Sequence, residues 1–149
     1  MTVRAVEPGD AGAWLRMRCA LWPEGAEAEH REEIERFFAG DFPRHPWVVL
    51  VSQDGSGRLT GFAELSLRPH AEGCSTSPVA YLEGWYVRPE RRRQGVGRAL
   101  IAAAESWARS QGCSEFASDA YPDNHVSASA HQSLGFTDVG LVRCFRKAL

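Results

Sequence analysis

The sequence is almost without lysine. Of its 17 basic residues 16 are arginines, and the one lysine, Lys147, lies two residues from the end of the 149-residue chain. A phosphate-binding P-loop carries a lysine directly after its glycines, and enzymes that form a Schiff base need a buried lysine. Composition therefore argues against both classes of enzyme.

Cysteine pairs at metal-binding or redox spacing are also absent. The four cysteines, Cys19, Cys74, Cys113 and Cys144, lie at least thirty residues apart. No Cys-x-x-Cys motif occurs, so a zinc knuckle and a thioredoxin-like site both lack their ligands. Because the first residues contain no apolar leader, we expect a cytoplasmic protein with reduced cysteines and no metal.

Long apolar runs and an excess of positive charge are missing too. No stretch approaches the ~20 apolar residues that a membrane-spanning helix requires. The formal net charge is −2, which argues against nucleic acid or an anionic membrane as a partner. With 44% hydrophobic and 24% charged residues, the composition is that of one globular domain, which we expect to span residues 1–149.

Hydrophobic periodicity predicts an α/β fold. A short strand at residues 3–6 precedes a helix that opens at Asp10 and a second helix within the acidic segment 24–41. Three strands, an amphipathic helix, a short strand, a helix and a closing strand pair follow. Their predicted ranges are 47–51, 59–67, 79–87, 95–111, 116–120, 124–134 and 135–146. This order predicts a mixed sheet with helices on its faces.

The segment 87–98 carries the clearest chemical signal. It runs from the end of a predicted strand through an arginine-rich turn and two glycines, Gly95 and Gly97, into the amphipathic helix. Glycines let the backbone approach a ligand, and the first turn of a helix presents unpaired N–H groups. The flanking arginines are Arg91, Arg92, Arg93 and Arg98. The pattern predicts a pyrophosphate cradle that needs no metal; the alternative is a solvated basic turn at a strand-to-helix corner.

Two blocks of the sequence resemble the GCN5-related N-acetyltransferases. Residues 92–97 (Arg-Arg-Gln-Gly-Val-Gly) resemble the R/Q-x-x-G-x-G/A motif that binds the pyrophosphate of acetyl-CoA in that superfamily. Residues 124–136 resemble its N-x-x-A/S-x-x-x-Y-x-x-x-G-F segment, with His131 in place of the tyrosine. The resemblance covers nearly the whole chain. It implies a single-domain α+β fold with a mixed, mostly antiparallel sheet, splayed central strands, and acetyl-CoA as cosubstrate.

Finer features resemble one branch, the bacterial aminoglycoside 6′-N-acetyltransferases. They lie at residues 21–23, 77–79, 82–84, 117–119 and 131–136. The resemblance implies an antibiotic-resistance enzyme that moves an acetyl group to the 6′-amine of an aminoglycoside by direct attack in a ternary complex. It also implies that the substrate pocket is lined by Trp22, His70, Glu83 and Asp119. The family's further acid on the closing strands has Asp138 nearby, with Gly140 at the matching position.

Glu83 is the predicted proton acceptor. It lies within a long apolar strand, where a carboxylate is costly to bury unless it is paired or faces a cleft. A substrate ammonium would supply that partner, and the carboxylate could take a proton from the attacking amine, directly or through water. The alternative is that strand alternation points Glu83 at solvent. Asp119, near the end of the next strand, either adds a second anion or caps the turn that follows.

One face of the helix predicted at 124–134 is expected to serve the cosubstrate. Asn124, Ser127 and His131 fall at i, i+3 and i+7. Asn124 could bond an amide of the pantetheine arm. His131 could protonate the departing thiolate, because imidazole changes protonation near neutral pH. A lone helical histidine is otherwise a packed or surface residue.

The strand after Gly84 is expected to bind the cosubstrate through its backbone. Glycine lets the strand splay, so that Trp85, Tyr86 and Val87 can pair with pantetheine as an added strand would, one N–H polarising the acetyl carbonyl. Trp22 is either core packing or an aromatic wall for a sugar ring or cation. The expected phosphate contacts come from Arg92, Arg93, Gln94, Gly95, Val96, Gly97 and Arg98.

Two other functions stay open at the level of sequence. One is acetyl transfer to another primary amine, such as a polyamine or a peptide N-terminus, and the other is a non-catalytic acyl-CoA- or drug-binding module. No cysteine stands at a recognised nucleophile position, which argues against a covalent acetyl-enzyme. The acidic segment 24–41 either attracts a cationic substrate or is only a solvated helix.

The C-terminal residues predict self-association. The strand at 141–146 is apolar and partly alternating, and an exposed edge of that kind invites pairing with another chain. The family resemblance also implies dimers whose C-terminal strands meet or exchange. We therefore expect a homodimer with residues 136–149 in its interface, against a monomer whose edge is protected by Arg143, Arg146 and Lys147.

Overall fold

The computed structural model describes residues 1–41 and 48–149. These residues divide into two compact units, Met1–Ser118 and Asp119–Leu149. The elements of the first unit are β1 (Thr2–Ala5), α1 (Ala11–Leu21), α2 (Glu27–Ala39), β2 (Val48–Gln53), β3 (Leu59–Arg68), β4 (Val79–Val87), α3 (Val96–Ser110) and β5 (Phe116–Ser118). Short 3-10 turns lie at Pro8–Asp10 and Pro89–Arg91.

The five strands of the first unit form one sheet in chain order, β1-β2-β3-β4-β5. Strands β1 to β4 pair with one another in antiparallel order, and β5 pairs with β4 in parallel. The predicted fold class, a mixed and mostly antiparallel sheet flanked by helices, is confirmed. Predicted boundaries agree with the observed ones within a few residues; position 47, the start predicted for β2, lies outside the described residues.

The helices cover both faces of the sheet because the side chains of β3 alternate. Phe62 faces α1 and belongs to the core that α1 and α2 form with β2 and β3. Gly61 faces α3, where the Cδ1 atom of Leu100 lies 3.2 Å from the position that a Cβ would take. Trp14 of α1 is fully buried, and its ring packs edge-on against Phe37 of α2 at 5.2 Å between centroids. None of the described helices is long and apolar enough to cross a membrane.

The second unit contains one helix, α4 (His125–Ser133), within residues 119–149. Asn124 caps it, because its side-chain oxygen accepts a hydrogen bond from the Ser127 N–H at 3.1 Å. The closing strand pair predicted at 135–146 is wrong for this chain, since residues 136–149 have no regular strand. A strand forms only where its N–H and C=O groups meet a neighbouring backbone, and this unit supplies none to them.

A buried charged network that the sequence analysis missed joins α1, α2 and β3. The Glu64 carboxylate of β3 is only 3% exposed. Its Oε1 accepts a hydrogen bond from Trp14 Nε1 at 2.9 Å and lies 3.4 Å from Arg18 Nη1. Arg18 also pairs with Glu33 of α2. A charged residue inside the apolar run 62–65 was the available signal, because such a residue must find partners when it is buried.

Burial raises the pKa of Glu64 from 4.5 to about 7, although Arg18 and the Trp14 hydrogen bond oppose the rise. Glu33 and Glu83, the other charged groups near it, add to the rise. The folded state therefore holds a proton that the unfolded chain releases. This contribution to stability is complete below pH 4.5 and is lost as pH rises through about 7.

We expect Glu64→Gln to gain stability relative to the wild type as pH rises, because its amide does not titrate. A pKa change from 4.5 to about 7 corresponds to roughly 3 kcal/mol. The free energy of unfolding of the variant minus that of the wild type should move by up to that amount between pH 4.5 and 8, as measured by urea denaturation. Glu27→Gln, which removes an exposed carboxylate of α2, should give a nearly constant difference, and a constant difference for Glu64→Gln would contradict the assignment.

Candidate active site

A β-bulge interrupts β4 at Glu83. Glu64 of β3 pairs with Gly84, whereas the next residue, Leu65, pairs with Leu82, so Glu83 is the extra residue of the bulged strand. A bulge bends its strand and re-aims a side chain, and bulges are frequent next to active sites. Glu83 is the residue that the sequence analysis placed at the reacting amine.

The sheet opens at the same point. β5 pairs only with the first half of β4, from Ala80 to Leu82, and ends at Ser118. Beyond Leu82, the edge of β4 that faces away from β3 has no paired strand within residues 1–41 and 48–118. The backbone of residues 83–87 can therefore accept an extended ligand as an added strand. This is the splay expected from the family resemblance.

The loop that follows β4 has the backbone geometry of an anion site. Arg93 and Gly95 adopt left-handed conformations, with φ of +61° and +84°. The first main-chain bond of α3 runs from the Ala99 N–H to the Gly95 carbonyl at 2.9 Å. The N–H groups of residues 96–98 thus precede any helical acceptor and lie at the positive end of the helix dipole.

The two glycines of this loop have different roles. A Cβ on Gly97 would lie 3.0 Å from Cζ2 of Trp85, so α3 approaches β4 closely only because residue 97 has no side chain. A Cβ on Gly95 would meet no described atom within 4 Å. Gly95 is therefore required by its positive φ, and the space beside it is open to a ligand.

The arginines of the loop divide into two pairs. Arg91 forms an ion pair with Asp54 at 2.7 Å, and Arg92 Nε donates to the Val87 carbonyl at 2.9 Å. Arg93 and Arg98 make no hydrogen bond or ion pair within residues 1–41 and 48–149. Their charges remain available to an anionic ligand at the N-terminus of α3.

The protein itself supplies partners to the Glu83 carboxylate. Ser66 Oγ donates to Oε1 at 2.5 Å, and Arg68 donates to Oε1 from Nε at 3.0 Å and to Oε2 from Nη2 at 2.8 Å. The Arg68 guanidinium stacks on the Tyr81 ring at 3.5 Å. The Glu83 side chain is 17% exposed, so the alternative that it simply points at solvent does not hold.

Trp22 lies directly against the bulge. A Cβ on Gly84 would be 2.6 Å from Cη2 of Trp22, so the indole reaches the strand only because residue 84 is glycine. His30 of α2 stacks on the indole, with ring centroids 6.2 Å apart and planes 19° apart, and the Arg18 guanidinium lies 5.1 Å from it. Trp22 is half-buried. One part of the ring is thus core packing against Phe62, and the indole also contacts the strand at Gly84, the residue after Glu83.

The remaining predicted residues lie apart from this cluster in the sequence. His70 is exposed in the loop after β3. In the second unit, Asp119 is exposed, and the Asp138 carboxylate accepts from the Gly140 N–H at 2.9 Å. His131 Nδ1 bonds the Ser127 carbonyl at 2.7 Å. Because a carbonyl oxygen only accepts, Nδ1 carries the hydrogen of that bond.

The sequence analysis did not identify three residues that contact Glu83 or Trp22. Ser66 and Arg68 were not identified as partners of Glu83, because a pairing across two strands depends on register. His30 was not identified as a support for Trp22. In the part of the chain that the structure describes, no three His, Cys, Asp or Glu side chains are placed to hold a metal ion.

Comparison with known proteins places these features in a family. The model of the acetyltransferase (GNAT) family matches residues 13–136. An aminoglycoside N(6′)-acetyltransferase type 1 from Klebsiella aerogenes is 56% identical over 99% of this chain and 96% of its own length. The protein of the same name from Serratia marcescens is 43% identical over 92% of each chain.

Solved structures give the same answer. An aminoglycoside 6′-N-acetyltransferase from Acinetobacter haemolyticus, in its apo form, is 36% identical and matches with a TM-score of 0.90 over 100% of this chain and 99% of its own. The enzyme AAC(6′)-Iy in complex with the bisubstrate analogue CoA-S-monomethyl-acetylneamine is 33% identical and matches with a TM-score of 0.89, covering 99% and 98% of the two chains. The chain therefore belongs to the acetyltransferase (GNAT) family, and the resemblance seen in its motifs is confirmed.

Proposed function

We propose that this chain transfers the acetyl group of acetyl-CoA to the 6′-amino group of an aminoglycoside, acting as one acetyltransferase domain over residues 1–149. The observation that carries the proposal is the convergence at the β4 bulge. The open strand edge, the phosphate loop, the carboxylate of Glu83 and the indole of Trp22 all meet within the first unit. The relatives named above support the choice of acceptor.

Acetyl-CoA is bound, in this proposal, along β4 and across the start of α3. The backbone of Trp85, Tyr86 and Val87 pairs with the pantetheine arm, which supplies hydrogen bonds that do not depend on side chains. The pyrophosphate lies on the loop 92–98, which carries the amides of residues 96–98 and the charges of Arg93 and Arg98, two side chains without a hydrogen bond or ion pair in residues 1–41 and 48–149. Asn124, matched to the family's asparagine, contacts the pantetheine amides.

The acceptor is cationic, and anionic groups recognise it. Glu83 and Trp22 receive the amino sugar beside the bulge, and an ammonium group can share the Glu83 carboxylate with Arg68. His70, Asp119 and Asp138 complete the acceptor contacts, as the family resemblance implies. The acidic residues of α2 raise the local concentration of a polycation, an effect that salt weakens.

The reaction is a direct transfer. The 6′-amine attacks the thioester carbonyl carbon, a C–N bond forms, and an N–H group of β4 stabilises the oxyanion. The amine proton passes to Glu83, directly or through water. The C–S bond then breaks, and the thiolate of CoA takes a proton from His131, which must be an imidazolium to donate from Nε2 because Nδ1 holds the Ser127 carbonyl.

A thiol-release assay tests the proposed function. Neomycin and paromomycin form a matched acceptor pair, since the first carries a 6′-amine where the second carries a hydroxyl. We expect CoA release with neomycin, kanamycin and tobramycin, and none with paromomycin. Release with only spermidine or a peptide would assign another amine as acceptor. Binding of CoA without release on any amine would assign a non-catalytic module.

Glu83→Gln tests the proton acceptor. The amide keeps the shape and still accepts from Ser66, but it cannot take a proton. We expect kcat to fall by about 10²-fold, at the lower end of the range for general bases, with the KM for acetyl-CoA within about twofold of the wild type. Glu105→Gln, which removes a half-buried carboxylate of α3 outside the cluster, is the control. An unchanged kcat for Glu83→Gln would remove Glu83 from the chemistry.

We also propose a cytoplasmic homodimer whose interface includes residues 136–149. The apolar side chains of this segment are exposed in the single chain, among them Leu141, Val142 and Phe145, at 78%, 67% and 89%. A partner chain would bury them and supply the backbone that a strand requires. The four cysteines form no disulfide, consistent with a reducing compartment where acetyl-CoA is supplied.

Light scattering at micromolar concentration tests the dimer. The wild type should have about twice the chain mass of 16.5 kDa, and Phe145→Asp should shift the mass toward one chain by placing a charge in the interface. Arg109→Gln, an exposed substitution on α3, should leave the mass unchanged. A wild-type mass near one chain with full activity would contradict the proposal.

A further inference from the structure

Asp54, in the turn between β2 and β3, has a carboxylate with two separate tasks. Its Oδ1 organises the turn, since it accepts from the Ser56 N–H at 3.0 Å, the Ser56 hydroxyl at 2.6 Å and the Arg58 N–H at 3.1 Å. Its Oδ2 accepts from Arg91 Nη2 at 2.7 Å. The hydrogen bonds from Ser56 and the nearby Arg91 lower the pKa of Asp54, so the carboxylate is ionised at neutral pH.

Arg91 is the residue at which the phosphate loop begins. It ends the 3-10 turn Pro89–Arg91 and directly precedes the segment 92–98. Its guanidinium points back toward the β2–β3 turn. Arg91 is thus held by an ion pair within the protein, whereas Arg93 and Arg98 make no ion pair or hydrogen bond within residues 1–41 and 48–149.

The Asp54–Arg91 pair joins the β2–β3 turn to the start of the loop, beside a small pocket. A pocket of about 100 Å³ lies between the turn and the loop, lined by Met1, Asp54, Thr60, Arg91, Gln94 and Val96. The Asp54–Arg91 pair lies at this pocket, and its Asp54 side chain is only 15% exposed. The neighbouring pair of Arg58 and Glu90, at 3.1 Å, is half exposed at both ends and contributes little.

We propose that Asp54 is a positioning residue for acetyl-CoA binding: by holding Arg91, it fixes the start of the phosphate loop and leaves Arg93 and Arg98 for the phosphates. Asp54 acts through Arg91 and touches no substrate. The inference rests on the proposed function and deepens it, because it names the contact that fixes one of the four arginines of the loop.

A purely electrostatic role and a positioning role of Asp54 predict opposite changes in the Kd for CoA when Asp54 is replaced by asparagine. The asparagine Oδ1 still accepts the turn bonds, but its Nδ2 would face Arg91 donor to donor. CoA is a polyanion, so removing a nearby negative charge and releasing Arg91 would tighten binding if Asp54 only neutralised charge. If Asp54 positions the loop, binding weakens despite the more favourable net charge.

Isothermal titration calorimetry with CoA measures whether this Kd rises or falls. We expect the Kd of Asp54→Asn to rise about five- to tenfold, together with the KM for acetyl-CoA, while the KM for the aminoglycoside changes by less than about twofold. If Asp54 served only stability, Asp54→Asn would lower the melting temperature without raising the KM for acetyl-CoA more than the KM for the aminoglycoside. An unchanged or lower Kd for Asp54→Asn overturns the inference.

The double variant tests whether the effect passes through Arg91. All three variants break the same contact, so each should weaken CoA binding, and adding Asp54→Asn to Arg91→Gln should cause no further weakening. If Arg91 were instead a direct phosphate ligand, Arg91→Gln would weaken binding while Asp54→Asn tightened it. Arg109→Gln, which removes an exposed arginine paired with Glu105 at 3.8 Å, controls for the loss of one positive charge and should stay within about twofold of the wild type.

The wild type separates failure of the inference from failure of the proposed function. If the wild type binds CoA and Asp54→Asn binds it equally well, only the inference fails. If the wild type does not bind CoA, the proposed function fails, and the inference fails with it. Should Asp54→Asn not fold, Arg91→Gln leaves the turn intact: an unchanged Kd, or a rise no larger than that of Arg109→Gln, overturns the inference.

Discussion

The bulge at Glu83 and the end of β5 at Ser118 together constrain the rest of the candidate site. Up to Leu82, β4 is paired on both edges, and beyond it one edge is open within the first unit. A strand inside a sheet has no free backbone groups to offer a ligand, so the opening is what turns a structural strand into a binding surface. In the proposed function the thioester lies at this opening, whose position then decides which side chains can act on it.

Around this opening the protein neutralises some charges internally and leaves others for ligands. Arg18 is held by Glu33 and Glu64, Arg68 by Glu83, and Arg91 by Asp54. Each pair fixes a segment that borders the site: α1 with Trp22 at its end, the bulge, and the phosphate loop. The arginines at 93 and 98 have no such partner within residues 1–41 and 48–149. Buried pairs supply geometry, and exposed charges supply attraction.

Close approach between elements depends on residues without side chains. Gly84 admits the Trp22 ring to the strand, and Gly97 admits Trp85 to the start of α3. In both cases a Cβ would lie 3.0 Å or less from an aromatic carbon, so each of these close contacts depends on a glycine. The β4 residues of these contacts, Gly84 and Trp85, both follow the bulge residue, and the contacts bring the end of α1 and the start of α3 to the same strand.

The sequence by itself determined the order of elements from β1 to α4 and the family, because periodicity and a glycine-rich motif are local patterns. It also predicted a phosphate loop and the roles of Glu83 and Trp22. Only the tertiary structure showed that Glu83 is a bulge residue bonded to Arg68, that Glu64 is buried beside Arg18, and that Asp54 holds Arg91, since each depends on strand register or on contacts distant in sequence. The prediction of closing strands was wrong for the same reason. Residues 136–149 have an apolar pattern suited to a strand, but a strand needs a neighbouring backbone, which the pattern does not provide.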